Sequence, residues 1–458
     1  MNSVLCGVAA VLSALAAGIP AGQPERGEPV PEEAEAVAAI RAAGGYVWLD
    51  GPGGKANRLQ APDPAQVGRW RVARGAGGKP DRVWAEPARF GDAALAAAGR
   101  LPELRTVNIY GCGISDRGLA NLVGLRKLSA LSLSGDNGIT DAGLKAVGQM
   151  EGIEYLDLDG TGITGAGLAH LGGLKKLTGL WLSGTTVGDE GMASIAAHTG
   201  LRDLCLGQNA TARGVAALRG LVGLDTLRVP WGMDEAALAS LGDMKKLKHL
   251  YGIRVRTDAG LAGVGSLTNL RELDLFRSEV TDAGLAKLAG LRALENLSLR
   301  STKIGDAGLA HLRGLRGLTT LSLRGTRVGD AALRTVAGMQ GLVWLDLGYT
   351  KVTDAGLAHL LGLRSLASLD LYGTAITDEG LGTIGKIGTL TSLCLSGTPI
   401  TEAGIPKLSG LRRLEFLSIN ETRVPRGSPA VASLRATLGG LKDLYENEPP
   451  AAPGGEHF

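Results

Sequence analysis

The segment LSLRGTRVGDAALRTVAGMQGLVW, residues 321–344, restarts with the same plan at Leu345. Leu321 and Leu323 flank Ser322, so two apolar side chains fall on one side of an extended chain and their neighbours on the other. A polar turn follows. Asp330 then opens a stretch in which Leu333 and Val336 recur at helical spacing. Working outward, the first strand leucine recurs at Leu131, Leu156, Leu180, Leu204, Leu227, Leu250, Leu273, Leu297, Leu345, Leu369, Leu393 and Leu417, in steps of about 24 residues. Val107 and Val83 extend the series backwards. One such strand cannot bury its leucines alone. Stacked repeats form a parallel sheet over a continuous core. The pattern predicts an α/β array of about 14–15 repeats over residues 82–424.

Two polar rows accompany the leucines. A small polar residue ends each strand segment, as at Cys112, Thr161, Thr185, Asn209, Ser278, Thr302, Thr326, Thr350, Thr374, Thr398 and Thr422. These are expected to bond backbone where the chain leaves the sheet, building a ladder between repeats. The second row starts the helices, as in Thr281-Asp282-Ala283-Gly284-Leu285, with Thr or Asp as cap. Aspartates recur there at positions 92, 116, 141, 189, 258, 282, 306, 330, 354 and 378. Repulsion along such a row, roughly 0.8 kcal/mol per pair in water, is offset by each helix N-terminus, so no metal is needed to explain it. Basic residues such as Arg292, Arg316 and Arg364 follow the helices and suit their C-termini.

This plan resembles the leucine-rich-repeat family. The resemblance implies a right-handed solenoid, or horseshoe, with a parallel concave sheet, short convex helices and a role in protein–protein interaction. The Thr-Asp-x-Gly-Leu element is similar to the cysteine-containing, ribonuclease-inhibitor-like repeats found in F-box substrate receptors. Nothing before residue 82 reads as an F-box. The family often has Asn or Cys at the strand end, so the resemblance makes Cys112 a ladder residue.

The ends read differently. Val4 to Ile19 is an apolar run with small residues at Ala14 and Ala16, so residues 1–21 are expected to be a secretory signal, although no Lys or Arg precedes the run. Residues 22–81 are expected to cap the array, with a helix in Pro31–Ala43 and strands at Tyr46–Leu49 and Trp70–Val72. Residues 425–445 form the other cap, with a helix from Ser428–Pro429 to about Leu438, and residues 446–458 a disordered tail. The expected location is periplasmic, cell-surface or extracellular, with no stable membrane span after signal cleavage. Cys205 and Cys394 lie eight repeats apart, roughly 38 Å at about 4.8 Å per strand, so no disulfide is expected.

A net charge of +3 from 48 basic and 45 acidic residues gives no general attraction to nucleic acid or anionic membrane. No P-loop, His-Glu-x-x-His, Cys-x-x-Cys or Gly-x-Ser-x-Gly occurs. His170, His311 and His359 share one repeat position, yet His311 and His359 stand about 10 Å apart, too far to share an ion. Asp157 with Asp159, or Asp346 with Asp370, could form an acid–base pair as in sugar hydrolysis, but no cleft or second convergent group supports it. The expectation is a non-enzymatic, cofactor-free binding scaffold.

Binding residues follow from the register. Aromatics are scarce, with 6 Trp, 7 Tyr and 4 Phe, yet Trp84, Tyr110, Tyr155, Trp181, Tyr251, Phe276, Trp344, Tyr372 and Phe416 all fall at outward strand positions. Aromatic anchors beside Arg and carboxylates are what interfaces use. The alternative is that aromatics simply pack well across strands. The candidate surface comprises Trp181, Asp203, Arg228, His249, Tyr251, Glu272, Asp274, Phe276, Arg300, Arg324, Trp344, Asp346 and Tyr372. Its ligand is read as an unidentified protein, alternatively a carbohydrate or cell-wall polymer, with a purely structural or adhesive array as the third reading. Regularity is lost between Ala210 and Thr257, where Pro230 and Trp231 enter a strand and Gly252 replaces a core leucine. That segment is either the centre of recognition or decayed repeats.

Overall fold

The computed structural model describes residues 33–43, 46–49, 56–60, 90–233 and 235–445. The signal segment, Trp70–Val72, Val83, Trp84 and the tail lie outside them. The chain divides into two compact units that meet in sequence at Gly200 and Leu201.

In the first unit, the helix Ala34–Ala42 buries Ala36, Val37 and Ile40 and packs on the helix Gly91–Ala98. Glu35 and Arg100 join the two at 2.6 Å. The strand β1 (Tyr46–Leu49) runs antiparallel to β2 (Ala56–Gln60), and β2 lies parallel to β3 (Thr106–Tyr110) with Leu59 opposite Val107. The edge of β3 that repeat spacing would give to a strand at Val83 is thus held by β2. From β3 the sheet continues in parallel through β4 (Ala130–Ser134), β5 (Tyr155–Asp157) and β6 (Gly179–Trp181).

The second unit carries β7 (Asp203–Cys205), β8 (Thr226–Met233), β9 (His249–Ile253), β10 (Glu272–Asp274), β11 (Asn296–Ser298), β12 (Thr320–Ser322), β13 (Trp344–Asp346), β14 (Ser368–Asp370), β15 (Ser392–Cys394), β16 (Phe416–Ser418) and β17 (Asp443–Tyr445). All neighbours pair in parallel, leucine opposite leucine, as Leu321 opposite Leu345. The strand leucines are buried throughout. The expected C-terminal helix spans Pro429–Thr437, capped by Ser428, whose hydroxyl also donates to Glu402. β17 then closes the edge of β16, a strand the leucine spacing did not announce.

The ladder between repeats is not where the small polar row places it. Thr302, Thr326, Thr350, Thr374 and Thr398 donate to carbonyls three residues back, within their own turns. A hydroxyl only two bonds from Cα reaches its own turn first. Ser278 is an exception, accepting from Val255 N of the preceding repeat at 3.0 Å. The aspartate row does the joining instead. Asp258 accepts from Thr281 N at 2.8 Å and Thr281 Oγ1 at 2.5 Å, one repeat on. Asp116–Thr140, Asp330–Thr353, Asp354–Thr377 and Asp378–Thr401 repeat the geometry. Thr140, Thr257, Thr377 and Thr401 meanwhile cap their helices, accepting from the N–H two residues on.

This pairing explains the recurrent glycine. A Cβ on Gly284 would lie 2.3 Å from Asp258 Oδ1, and on Gly404 2.3 Å from Asp378 Oδ1. Each aspartate therefore occupies the space that the next repeat's missing side chain leaves.

The segment from Ala210 to Thr257 is not weakened in the way its Pro and Gly imply. β8 runs eight residues, the longest strand described, and its register to β9 shifts between Arg228 and Met233. The slack of this bulge accommodates Pro230, which has no N–H to pair. Gly252 has φ +85°, and a Cβ there would meet the Val229 carbonyl oxygen at 1.9 Å. Among the described residues no helix is long and apolar enough to cross a membrane.

Candidate functional site

The outward side chains of β9 to β14 line an open groove of about 470 Å³. Tyr251, Glu272, Asp274, Asn296, Ser298, Arg300, Thr320, Ser322, Arg324, Trp344, Asp346 and Asp370 form it. Register explains the grouping: residues between paired leucines all point away from the core, and successive strands bring them side by side.

At one end Tyr251 is the hub. Its hydroxyl donates to Glu272 Oε2 at 2.6 Å, the Arg228 guanidinium sits 4.9 Å from its ring centre, and His249 stacks on it at 6.3 Å. His249 Nδ1 is 3.5 Å from Glu272 Oε2, an ion-pair separation too long for a firm hydrogen bond. The His249 contact, with the Tyr251 hydroxyl and against burial, holds the Glu272 carboxyl at about 2. Burial, and then the hydrogen bond to Glu272, pushes the Tyr251 phenol above its ordinary range.

At the other end Arg324 is the hub. Its guanidinium lies 3.2 Å from Asp370 and 3.7 Å from Asp346, and 5.0 Å from the ring centres of both Tyr349 and Tyr372. The rings themselves meet at 4.9 Å, and the Tyr372 hydroxyl donates to Glu421 at 2.7 Å. Asp346 also accepts from Ser322 Oγ at 2.9 Å and Gly348 N at 2.9 Å. Burial, and the charge of Asp370, raises its carboxyl above the usual range.

These carboxylates have structural tasks. Asp274, Asp346 and Asp370 each accept the N–H two residues on, holding the chain as it leaves the strand. Asp346 and Asp370 share one guanidinium, that of Arg324. Burial pushes the thiols of Cys112 and Cys394 to about 11, so both are protonated and unreactive at neutral pH.

Seven of the thirteen sequence-derived residues line the groove: Tyr251, Glu272, Asp274, Arg300, Arg324, Trp344 and Asp346. Arg228, His249 and Tyr372 touch its members. Phe276 lies under Arg300 at 5.4 Å. Asp203 stands apart, its carboxyl raised by burial and bonded to Thr226. Trp181 belongs to the first unit and is 8% exposed, folded over Gly179 and stacked on Tyr155 at 6.3 Å. It points outward as expected and is nevertheless covered. Tyr349, 55% exposed, is a member that sequence reading passed over. Its signal is positional: Gly325, Gly373 and Gly397 take a positive φ at the equivalent place, and Tyr349 does so at φ +53°. A bulky residue in that region costs about 1–2 kcal/mol.

Fold and site together define an α/β solenoid built from 24-residue strand–helix repeats. The chain is a leucine-rich-repeat protein. Residues 266–289 match the family model described as Leucine Rich repeat. No curated protein matches it by sequence. Among solved structures, an LRR protein of Leptospira interrogans is 18% identical, covering 76% of this chain and 91% of that one, with TM-score 0.53. An internalin of Listeria monocytogenes is 20% identical over 68% of this chain and 84% of its own, with TM-score 0.44. The structure of the TLR13-ssRNA13 complex is 18% identical over 76% and 55%, with TM-score 0.49. Identities this low bear on the fold alone.

Proposed function

We propose that this chain is an exported binding scaffold that recognises a protein partner along the outward strand face of its second unit. The observation that carries this reading is the groove between the Tyr251 and Arg324 hubs. Both hubs hold aromatic rings and guanidinium groups in fixed positions by hydrogen bonds and stacking on rigid strands. Such preorganised Tyr, Trp and Arg groups lose little entropy on binding and supply the anchors of protein interfaces. Trp344, on β13 at the Arg324 end, adds a half-buried indole to the groove lining. Export rests on the apolar run from Val4 to Ile19, and the family resemblance supports interaction in place of catalysis.

The test places a photo-crosslinking residue at Thr320 in the groove, with Arg313 on the helical side as control. Exposed to the native cell envelope, Thr320 is expected to capture a polypeptide that Arg313 does not. The purified partner is expected to bind the Trp344→Ala variant about tenfold more weakly. Equal capture at both positions, or a glycan adduct at Thr320, overturns the reading.

A further inference from the structure

We infer that the strand exits of β8 to β11 carry a second site, beside the groove and sharing only Arg300 with it, for a uronic-acid polysaccharide. It is centred on Trp231 and Arg277. Three observations converge there.

The first is the bulge. Between Arg228 and Met233 the chain leaves the ladder and presents Trp231, 59% exposed, the most exposed large apolar side chain among the described residues. Gly252 makes the bulge feasible, because any side chain there would strike the Val229 carbonyl. Bulges re-aim side chains, and this one lifts an indole into solvent. The second is a platform beneath it. Phe276 lies 6.5 Å from Trp231, inclined at 52°, with the Arg277 guanidinium 5.0 Å and the Arg300 guanidinium 5.4 Å from its ring centre. Among the described residues no carboxylate lies within ion-pair distance of either arginine; the nearby Glu279 pairs with Lys303 at 3.1 Å. The third is backbone strain. Arg277 has φ +56° at the position where Gly135, Gly160, Gly184 and Gly325 stand in other repeats and where Ser301, Tyr349 and Glu421 also adopt a positive φ. An arginine here carries backbone strain that glycine would spare.

The chemistry selects the ligand. Two unpaired guanidiniums call for carboxylates, which they bind in bidentate fashion. An exposed indole face, negative at its centre, accepts the C–H-rich face of a pyranose ring. Flanking charge and a single open ring match one sugar bearing one carboxylate. A run of stacked bases would need parallel rings, and Trp231 and Phe276 are tilted. A peptide anchor would need a walled pocket, and the ring is open.

The full-length protein is titrated by calorimetry with an oligogalacturonate, its neutral oligogalactose counterpart, an oligothymidylate and an oligoglutamate. Only the oligogalacturonate is expected to bind well, weakening as salt rises. Trp231→Ala and Arg277→Gly are each expected to weaken it about tenfold. Arg277→Gly is also expected to raise the thermal unfolding midpoint, because glycine relieves the strain. This opposite movement of stability and affinity is one that a merely structural arginine would not show. Trp344→Ala, in the groove, is expected to leave the affinity unchanged, so the fate of the groove reading is decided separately. Absent oligogalacturonate binding, undiminished affinity in Arg277→Gly, or tighter binding of either other polyanion overturns the inference.

Discussion

Asp354 accepts both hydrogen bonds that Thr377 has to give, from N at 2.9 Å and Oγ1 at 2.5 Å, one repeat further on. The next repeat's Gly380 leaves room for it, since a Cβ there would lie 2.2 Å from Asp354 Oδ1. The Thr-Asp-x-Gly-Leu signature is thus a joint between repeats rather than a property of one. Gly380→Ala is expected to destabilise the protein by about 2 kcal/mol through overpacking, although alanine is the better helix former. In an Asp354→Ala background the same change is expected to cost much less. Denaturant unfolding of the four proteins in this cycle measures the coupling, and strict additivity would show the contact to be idle.

The Arg324 hub makes a second prediction. Its guanidinium serves two aspartates and two tyrosine rings at once. Arg324→Ala leaves Asp346, 4% exposed, beside Asp370 with no cation between them. Unfolding stability is expected to fall by about 2 kcal/mol, below the value for a fully buried pair because Asp370 reaches solvent. Arg324→Lys is expected to restore less than half of this, since an ammonium cannot lie flat against the rings or reach both carboxylates as a planar guanidinium does. Full recovery by lysine would mean that charge alone holds the hub.

How far the sequence reading reached is clear from particular residues. The strand leucines were legible because each repeat must bury its own pair, so Leu273, Leu297 and Leu321 sit in register as their spacing requires. Seven groove residues followed from alternation alone. The ladder was misassigned because a bond such as Asp258 to Thr281 crosses repeats and is invisible within one. β2 and β17 carry no repeat signature, only an edge to cover, and were missed at residues 56–60 and 443–445. Tyr349 was missed because its strained backbone shows only in three dimensions.

Glu272 gives the groove a pH dependence of definite sign. Its folded carboxyl is held at about 2, against an ordinary 4.5, first by His249 and also by Tyr251. A depressed carboxylate contributes stability that is complete above its unfolded value and lost as pH falls toward its folded one. The advantage of the native protein over Glu272→Gln is therefore expected to shrink as pH falls from 4.5 to 2. Asp203 and Asp346, raised by burial, shift in the opposite sense in both proteins and cancel in the comparison. Urea midpoints for the pair across this range test it. A gap that stays constant would show that Glu272 titrates unperturbed.

Trp181 separates facing outward from being available. Its place in the register puts it on the outward side of β6, yet Gly179 two residues earlier leaves a gap into which the indole folds, and Tyr155 covers it. A Cβ at Gly179 would meet the indole at 2.5 Å, so the glycine and the tryptophan form one packing unit. The glycine was visible in the sequence and is the clue that an outward aromatic has somewhere to lie down. Trp181→Ala is accordingly expected to lower stability by about 3 kcal/mol by removing a buried ring. It should leave photo-crosslinking from Thr320 unchanged. Trp344→Ala should do the reverse, with unfolding nearly unaltered and capture reduced. Should Trp181→Ala abolish capture while the protein stays folded at the same denaturant midpoint, recognition would have to be sought in the first unit instead.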